Sequence, residues 1–185
     1  MSLEHTALIL IDLQQAMRDP SLAPRNNPQA EDNIAALRDA WRGAGWALVN
    51  VRHISRCDRS LFAPGQPGAA FQPRFAPADG EHVVEKNVPD AFINSGLERW
   101  LHARGIERVA IVGVSTNNSV EATARTAGNL GFTTTVVADA CFAFAQKDYG
   151  GVMRSAEEVH NMSLANLDGE YAAVRSTSEL LHTAP

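Results

Sequence analysis

The chain has 185 residues, 45% hydrophobic and 20% charged, and its 21 acidic against 16 basic side chains give a formal net charge of −5. A chain of this length buries roughly 70% of the surface it exposes when unfolded, enough for one globular domain over residues 1–185 without disulfide or metal staples, and its composition excludes disorder or a fibrous structure. Lys and Arg are scattered along an acidic chain, which excludes a phosphate-neutralising nucleic-acid face and a polybasic membrane-binding face.

Met1 to Thr6 leads into apolar residues without a basic leader, and no stretch approaches the ~20 apolar residues of a membrane span, so the expected location is cytoplasmic. Cys57 and Cys141 stand far apart in unlike contexts and read as free thiols of a reducing compartment. No Cys-x-x-Cys spacing offers a zinc site.

In chain order, the first element is a strand, Ala7 to Leu13, short and continuously apolar as in strands buried on both faces. A helix follows with Ile34, Leu37 and Trp41 on one face, ended by Gly43 and Gly45. Trp46 to Val51 is the second strand. Ala63 to Gly80, dense in Pro and Gly, reads as a long surface loop of the kind that serves as a lid. A short apolar element, His82 to Glu85, precedes Lys86. Ser95 and Glu98 form a capping-box pattern for a helix through Leu97 and Leu101 that closes at Gly105. A strand at Val109 to Val114 is followed by a helical stripe of Val120, Ala124, Ala127 and Leu130, and by another strand at Thr133 to Ala138. Ser155 with Glu158 caps a helix through Val159, Met162 and Leu167; Tyr171 to Val174 is a strand, and Ser176 with Glu179 caps the last helix. Strand and helix alternate throughout, which predicts a doubly wound α/β domain with a mostly parallel sheet covered on both faces.

In such sheets ligands bind outside the carboxyl ends of the strands, near the point where strand order reverses. Asp12 ends the first strand directly after apolar residues, as a catalytic acid or as a structural carboxylate. Lys86 follows a strand-like element, as a site lysine or a solvated one. After Val114 comes Ser115-Thr116-Asn117-Asn118-Ser119, where a helix start would aim backbone N–H groups at an anion. Capping explains Thr116 or Asn117 equally well. It explains Ser119, inside the first turn, less well.

Together these segments resemble a known family. Leu10-Ile11-Asp12-Leu13-Gln14, Glu85-Lys86-Asn87 with Ala91-Phe92, Gly113-Val114-Ser115-Thr116-Asn117, Glu121-Ala122-Thr123-Ala124-Arg125 and Val137-Ala138-Asp139-Ala140 occur in the order and spacing of the isochorismatase-like hydrolases, a cysteine-hydrolase superfamily. The resemblance covers essentially the whole chain. It implies a three-layer fold with a six-stranded, mainly parallel sheet, and an Asp–Lys–Cys triad in which Asp12 matches the general base and Lys86 the lysine that orients it. The nucleophile falls on Ser119, where serine replaces the family's cysteine. The resemblance also implies a cis peptide between Val114 and Ser115, with the N–H groups of Ser115 and Ser119 forming an oxyanion hole. Gln14 and Phe92 are placed beside the substrate, Phe92 as pocket wall or as core. A small-molecule substrate, no cofactor and a homodimer or larger assembly complete what it implies.

The serine leaves the chemistry open. An Asp–Lys pair can take the hydroxyl proton for attack on an amide, ureide or ester. A vinyl-ether hydrolase would instead use Asp12 as an acid with a raised pKa. A lapsed enzyme would bind a small carbonyl ligand without turnover. A different serine enzyme, built on Ser115 with Asp139 and His160, lacks the last glycine of the Gly-x-Ser-x-Gly elbow. His160 itself reads as helix surface or subunit contact, Cys141 as a small buried hydrophobe, and Trp100 as core. His53 matches one position of the metal-binding Asp-x-His of nicotinamidase-type members, but Val51 holds the Asp place, so no metal is expected.

Overall fold

The structure is a computed structural model describing residues 3–182. Strands β1 (Thr6–Ile11), β2 (Leu48–His53), β3 (His82–Lys86), β4 (Arg108–Val114), β5 (Thr133–Phe142) and β6 (Ala173–Arg175) form a six-stranded sheet in the order β3-β2-β1-β4-β5-β6. Every neighbouring pair in it is parallel. β1 is buried at all six positions, which is why its sequence shows no polar alternation. Ile9 and Ile11 pack into one core and Leu8 and Leu10 into the other, so the two faces of this strand anchor two apolar layers. Helices α1 (Ala30–Ala44) and α5 (Thr177–His182) cover the second face with Ile34, Leu37, Trp41 and Leu180. Helices α2 (Leu97–His102), α3 (Glu121–Asn129) and α4 (Ala156–Leu167) cover the first with Leu97, Leu101, Ala124, Ala127, Leu164 and Leu167. This is the three-layer, doubly wound architecture read from the sequence.

The Ser155–Glu158 capping box forms at the start of α4, and Ser176 and Glu179 exchange the same reciprocal bonds before α5. The Ser95–Glu98 box does not. Gly96, at φ 74°, is the residue preceding α2, and the Ser95 hydroxyl donates to the Ala91 carbonyl and accepts from the Leu97 N–H. β5 runs beyond the predicted Ala138 to Phe142 because its register with β4 jumps, from Ile111 opposite Val136 to Gly113 opposite Cys141. The Ala63–Gly80 segment is not a free lid. It contains 3₁₀ turns at Pro67–Ala69 and Pro73–Phe75, buries Ala63, Ala69, Gln72 and Phe75, and is tied to the end of β1 by Gln15 N–H to the Ala70 carbonyl and Gln72 N–H to the Leu13 carbonyl.

Strand order reverses between β1 and β4, so the ends of these two strands flank the crevice where doubly wound sheets bind ligands. Gly113 keeps them close. Its φ is 124°, and a Cβ there would lie 2.2 Å from the Ile11 carbonyl oxygen, a backbone atom that cannot give way. Gly113→Ala is therefore expected to destabilise the fold by about 3 kcal/mol, combining overpacking with a disallowed backbone conformation; a urea melt within error of wild type would contradict this.

Candidate active site

Three buried polar side chains meet at the crevice. In an extended strand position 12 would follow Leu8 and Leu10 to the second face; instead Asp12 adopts φ 53°, a left-handed conformation rare outside Gly, Asn and Asp. The strand ends there, and the carboxylate turns to the first face. Lys86 reaches the same face by ordinary alternation, since Val84 and Lys86 are the buried positions of edge strand β3 while Val83 and Glu85 are exposed. Ser119 comes from the segment after β4, where the Val114–Ser115 peptide is cis and residues Thr116–Val120 form a π-helical turn. In that turn the N–H groups of Asn118 and Val120 both donate to the Ser115 carbonyl. Such turns are rare and concentrate at functional positions.

The Lys86 ammonium donates to Asp12 Oδ2 at 2.7 Å and to Ser119 Oγ at 3.2 Å. Asp12, Lys86 and Ser119 are 1%, 3% and 6% exposed, so this ion pair lies in a medium where charge interactions are strong and unpaired charge is costly. Asp12 Oδ1 has no hydrogen-bond partner of standard geometry. Burial pushes the Asp12 carboxyl above the usual carboxylate range, against the opposing pull of Lys86, the Ser119 hydroxyl and His53. His53 lies opposite Lys86 in the β2–β3 register; burial, and then Lys86, push its imidazole below the ordinary range. A groove of about 370 Å³, lined by Ser115, Asn117, Asn118, Phe144 and Gln146, opens beside the turn.

The other residues singled out in the sequence divide. Val114 is buried against Phe142 in a small cluster of its own, and the Ser115 hydroxyl donates to Asn117 Oδ1. Gln14 is not free to meet a ligand. Its amide donates to the carbonyls of His53 and Ala69 at 2.8 Å each and its oxygen accepts from the His53 N–H at 2.7 Å, so it clamps the end of β2 to the 67–69 turn. Phe92 is 8% exposed, belongs to the first-face core and packs against Phe132. Trp100 sits at the edge of that core, stacked on His82. The serine-elbow alternative is not assembled: Asp139 accepts from the N–H and hydroxyl of Thr177, and His160 meets Thr116 rather than Ser115. His160 is also not on the surface but 3% exposed, a burial the sequence conceals because α4 has apolar residues on several sides. Among the described residues no group of three His, Cys, Asp or Glu is placed to hold a metal ion, and no helix is long and apolar enough to cross a membrane.

Cys141 pairs with Gly113 in the sheet and is fully buried; burial pushes its thiol up to about 12, so it stays protonated and inert. Cys57 is exposed. Iodoacetamide should label Cys57 alone in the folded protein, and mass spectrometry showing modified Cys141 would refute that burial.

A model of the isochorismatase domain matches residues 6–179. The chain is 37% identical over 179 residues to YrdC of Bacillus subtilis, an uncharacterized isochorismatase family protein, covering 97% of this chain and 96% of that one. It is 34% identical over 185 residues to the maleamate amidohydrolase of Pseudomonas putida, covering 91% and 81%. A crystal structure from Chromobacterium violaceum, of a protein assigned to the isochorismatase family, matches with a TM-score of 0.94 at 51% identity, covering 96% of this chain and 92% of that one.

Proposed function

Because this chain belongs to the isochorismatase family of hydrolases, we propose that it cleaves the C–N bond of a small amide or ureide, or the corresponding ester bond, by acyl transfer through Ser119. The observation that carries this reading is the Lys86 ammonium, which touches both Asp12 and Ser119 and leaves the second carboxylate oxygen without a standard partner. That oxygen takes the Ser119 hydroxyl proton as Oγ attacks the substrate carbonyl. Burial raises the carboxyl's pKa, which narrows the gap to the hydroxyl and makes Asp12 a better base than a solvated aspartate. The carbonyl oxygen becomes an oxyanion facing the N–H groups of Ser115 and Ser119, and Lys86 offsets the negative charge accumulating beside it. As the tetrahedral intermediate collapses, protonated Asp12 gives its proton to the leaving nitrogen. Water then attacks the ester, its proton passes to Asp12, and Ser119 Oγ leaves and regains a proton from that carboxyl. The maleamate amidohydrolase relative is named for amide hydrolysis, which favours C–N cleavage.

The raised pKa of Asp12 also favours a second reading, in which the protonated acid adds its proton to a vinyl ether and water follows, with no attack by Ser119. A panel of small amides, ureides, esters and vinyl ethers, assayed with wild type, Asp12→Asn and Ser119→Ala, tests both. Amide or ureide turnover lost both in Asp12→Asn and in Ser119→Ala supports acyl transfer; turnover confined to vinyl ethers overturns it.

A further inference from the structure

His160 has no part in the steps above, yet it is buried against the turn that carries them. Its Nδ1 lies 2.8 Å from the Thr116 hydroxyl and its Nε2 3.5 Å from the Asn27 amide nitrogen. The two hydrogens of that amide go to the carbonyls of Ala138 and Cys141, at 3.1 and 2.7 Å, so Asn27 has none left to point squarely at the ring and no lone pair to accept one. A hydrogen on Nε2 would confront an NH₂ group. A bare lone pair there avoids the clash, so the proton of the neutral ring belongs on Nδ1, donated to Thr116 Oγ1. One turn further along α4, the Ser163 hydroxyl reaches the Thr116 carbonyl at 3.0 Å and Glu121 Oε2 at 2.6 Å. Thr116 is thereby held by its side chain and its carbonyl from the same helix. It directly follows Ser115, and Ser119 lies in the same π-helical turn.

We propose that His160 is a positioning residue, a neutral Nδ1-protonated imidazole that locks Thr116 and so fixes the turn presenting Ser115 and Ser119. The groups facing it are uncharged on the opposing elements: the Thr116 hydroxyl from the π-helical turn, the Asn27 amide from the segment before α1, and beyond that amide the carbonyls of β5. The charged group acting on it is Glu157 of its own helix, which raises its pKa, while the larger effect of burial lowers it. The balance lowers the pKa of the ring and so favours its neutral form. Because an N–H on each nitrogen leaves Nε2 against Asn27, its eventual protonation loosens the lock.

This inference rests on the acyl-transfer reading for its kinetic consequence but not for its structural one, and the experiment separates the two. Nitrogen-15 NMR of the wild-type imidazoles should show His160 protonated at Nδ1 and bare at Nε2 at pH 7, without titration near the free-histidine value; the opposite tautomer or an ordinary titration overturns the proposal whatever the enzyme hydrolyses. His160→Leu keeps bulk but removes the donor, and His160→Asn places an amide N–H where Nδ1 stood. With both variants shown to be folded by circular dichroism, kcat is expected to fall about 100-fold in His160→Leu with KM little changed, the loss typical of an ångström-scale misplacement, and to recover to within about 5-fold of wild type in His160→Asn. Amide hydrogen exchange over residues 116–120 should quicken in His160→Leu and not in His160→Asn. A folded His160→Leu variant with wild-type exchange in the turn refutes the lock. Absent turnover in wild type, with the tautomer and exchange results as expected, refutes the catalytic reading alone.

Discussion

Ser119→Ala is expected to lose amide or ureide turnover by at least about 10⁴-fold in kcat, with substrate binding little changed, because removing the nucleophile of a cooperating set removes nearly all that the set achieves. Ser119→Cys separates nucleophile from scaffold. A thiol with a free pKa near ~8.5 is far easier to deprotonate than a hydroxyl, and it would stand where Lys86 now donates to Oγ at 3.2 Å, a setting that lowers thiol pKa further. The variant should react with iodoacetamide at residue 119, and should form an acyl-enzyme that hydroxylamine cleaves. Wild type should accumulate an oxygen ester on Ser119 under the same acid quench. If Ser119→Ala retained amide or ureide turnover while Asp12→Asn lost it, attack would come from water activated by Asp12, and acyl transfer through Ser119 would be overturned. If Ser115→Ala abolished turnover and Ser119→Ala spared it, the wrong serine would have been assigned.

Much of this site can be read from the chain because its parts lie where strand periodicity stops. Leu8 to Ile11 is uninterrupted apolar sequence, so a carboxylate directly after it must end the strand or be buried. Lys86 follows Val84 at a spacing of two on an edge strand, and that alternation alone aims it at the core side. What local sequence does not carry is the turn of Asp12 itself. Its positive φ depends on neighbours, among them Val51, whose carbonyl receives the Asp12 N–H. The extension of β5 to Phe142 is hidden for the same reason: residues 137–140 bulge out of register with β4, and Ala138 looks like an end only in isolation. The burial of His160 and the tethering of Gln14 are not legible locally, because the bonds that hold them come from residues 44 and 39 positions away. The π-helical turn shows in sequence only as a surplus of capping residues. Ser95 illustrates the reverse error, a correct local motif displaced when Gly96 took the left-handed position before α2.

Lys86→Met should cost about 3–5 kcal/mol of stability, the usual consequence of leaving one member of a buried ion pair without its partner, and the cost should depend on pH in a definite direction. Asp12 already has a folded-state pKa above its ordinary value, burial being the largest cause and Lys86 the main opposing one. A raised carboxyl pKa means that folding favours the protonated form, so its favourable contribution is complete below the unfolded pKa and is lost as pH rises through the folded one. Deleting the ammonium removes the pull that restrains this shift, raises the folded pKa further, and makes the ionised carboxylate more costly at neutral pH. Urea melts should therefore show a larger gap between Lys86→Met and wild type at pH 8 than at pH 5, while the acidic limb of kcat/KM moves to higher pH because the base form of Asp12 is populated later. Replacing both partners, in Asp12→Asn with Lys86→Met, removes the stranded charge and should recover most of the stability lost in Lys86→Met alone, with a coupling of opposite sign to the single losses, but no turnover. A stability loss equal at both pH values, or a double variant no more stable than Lys86→Met, would show that Lys86 acts by packing and not by holding the Asp12 charge.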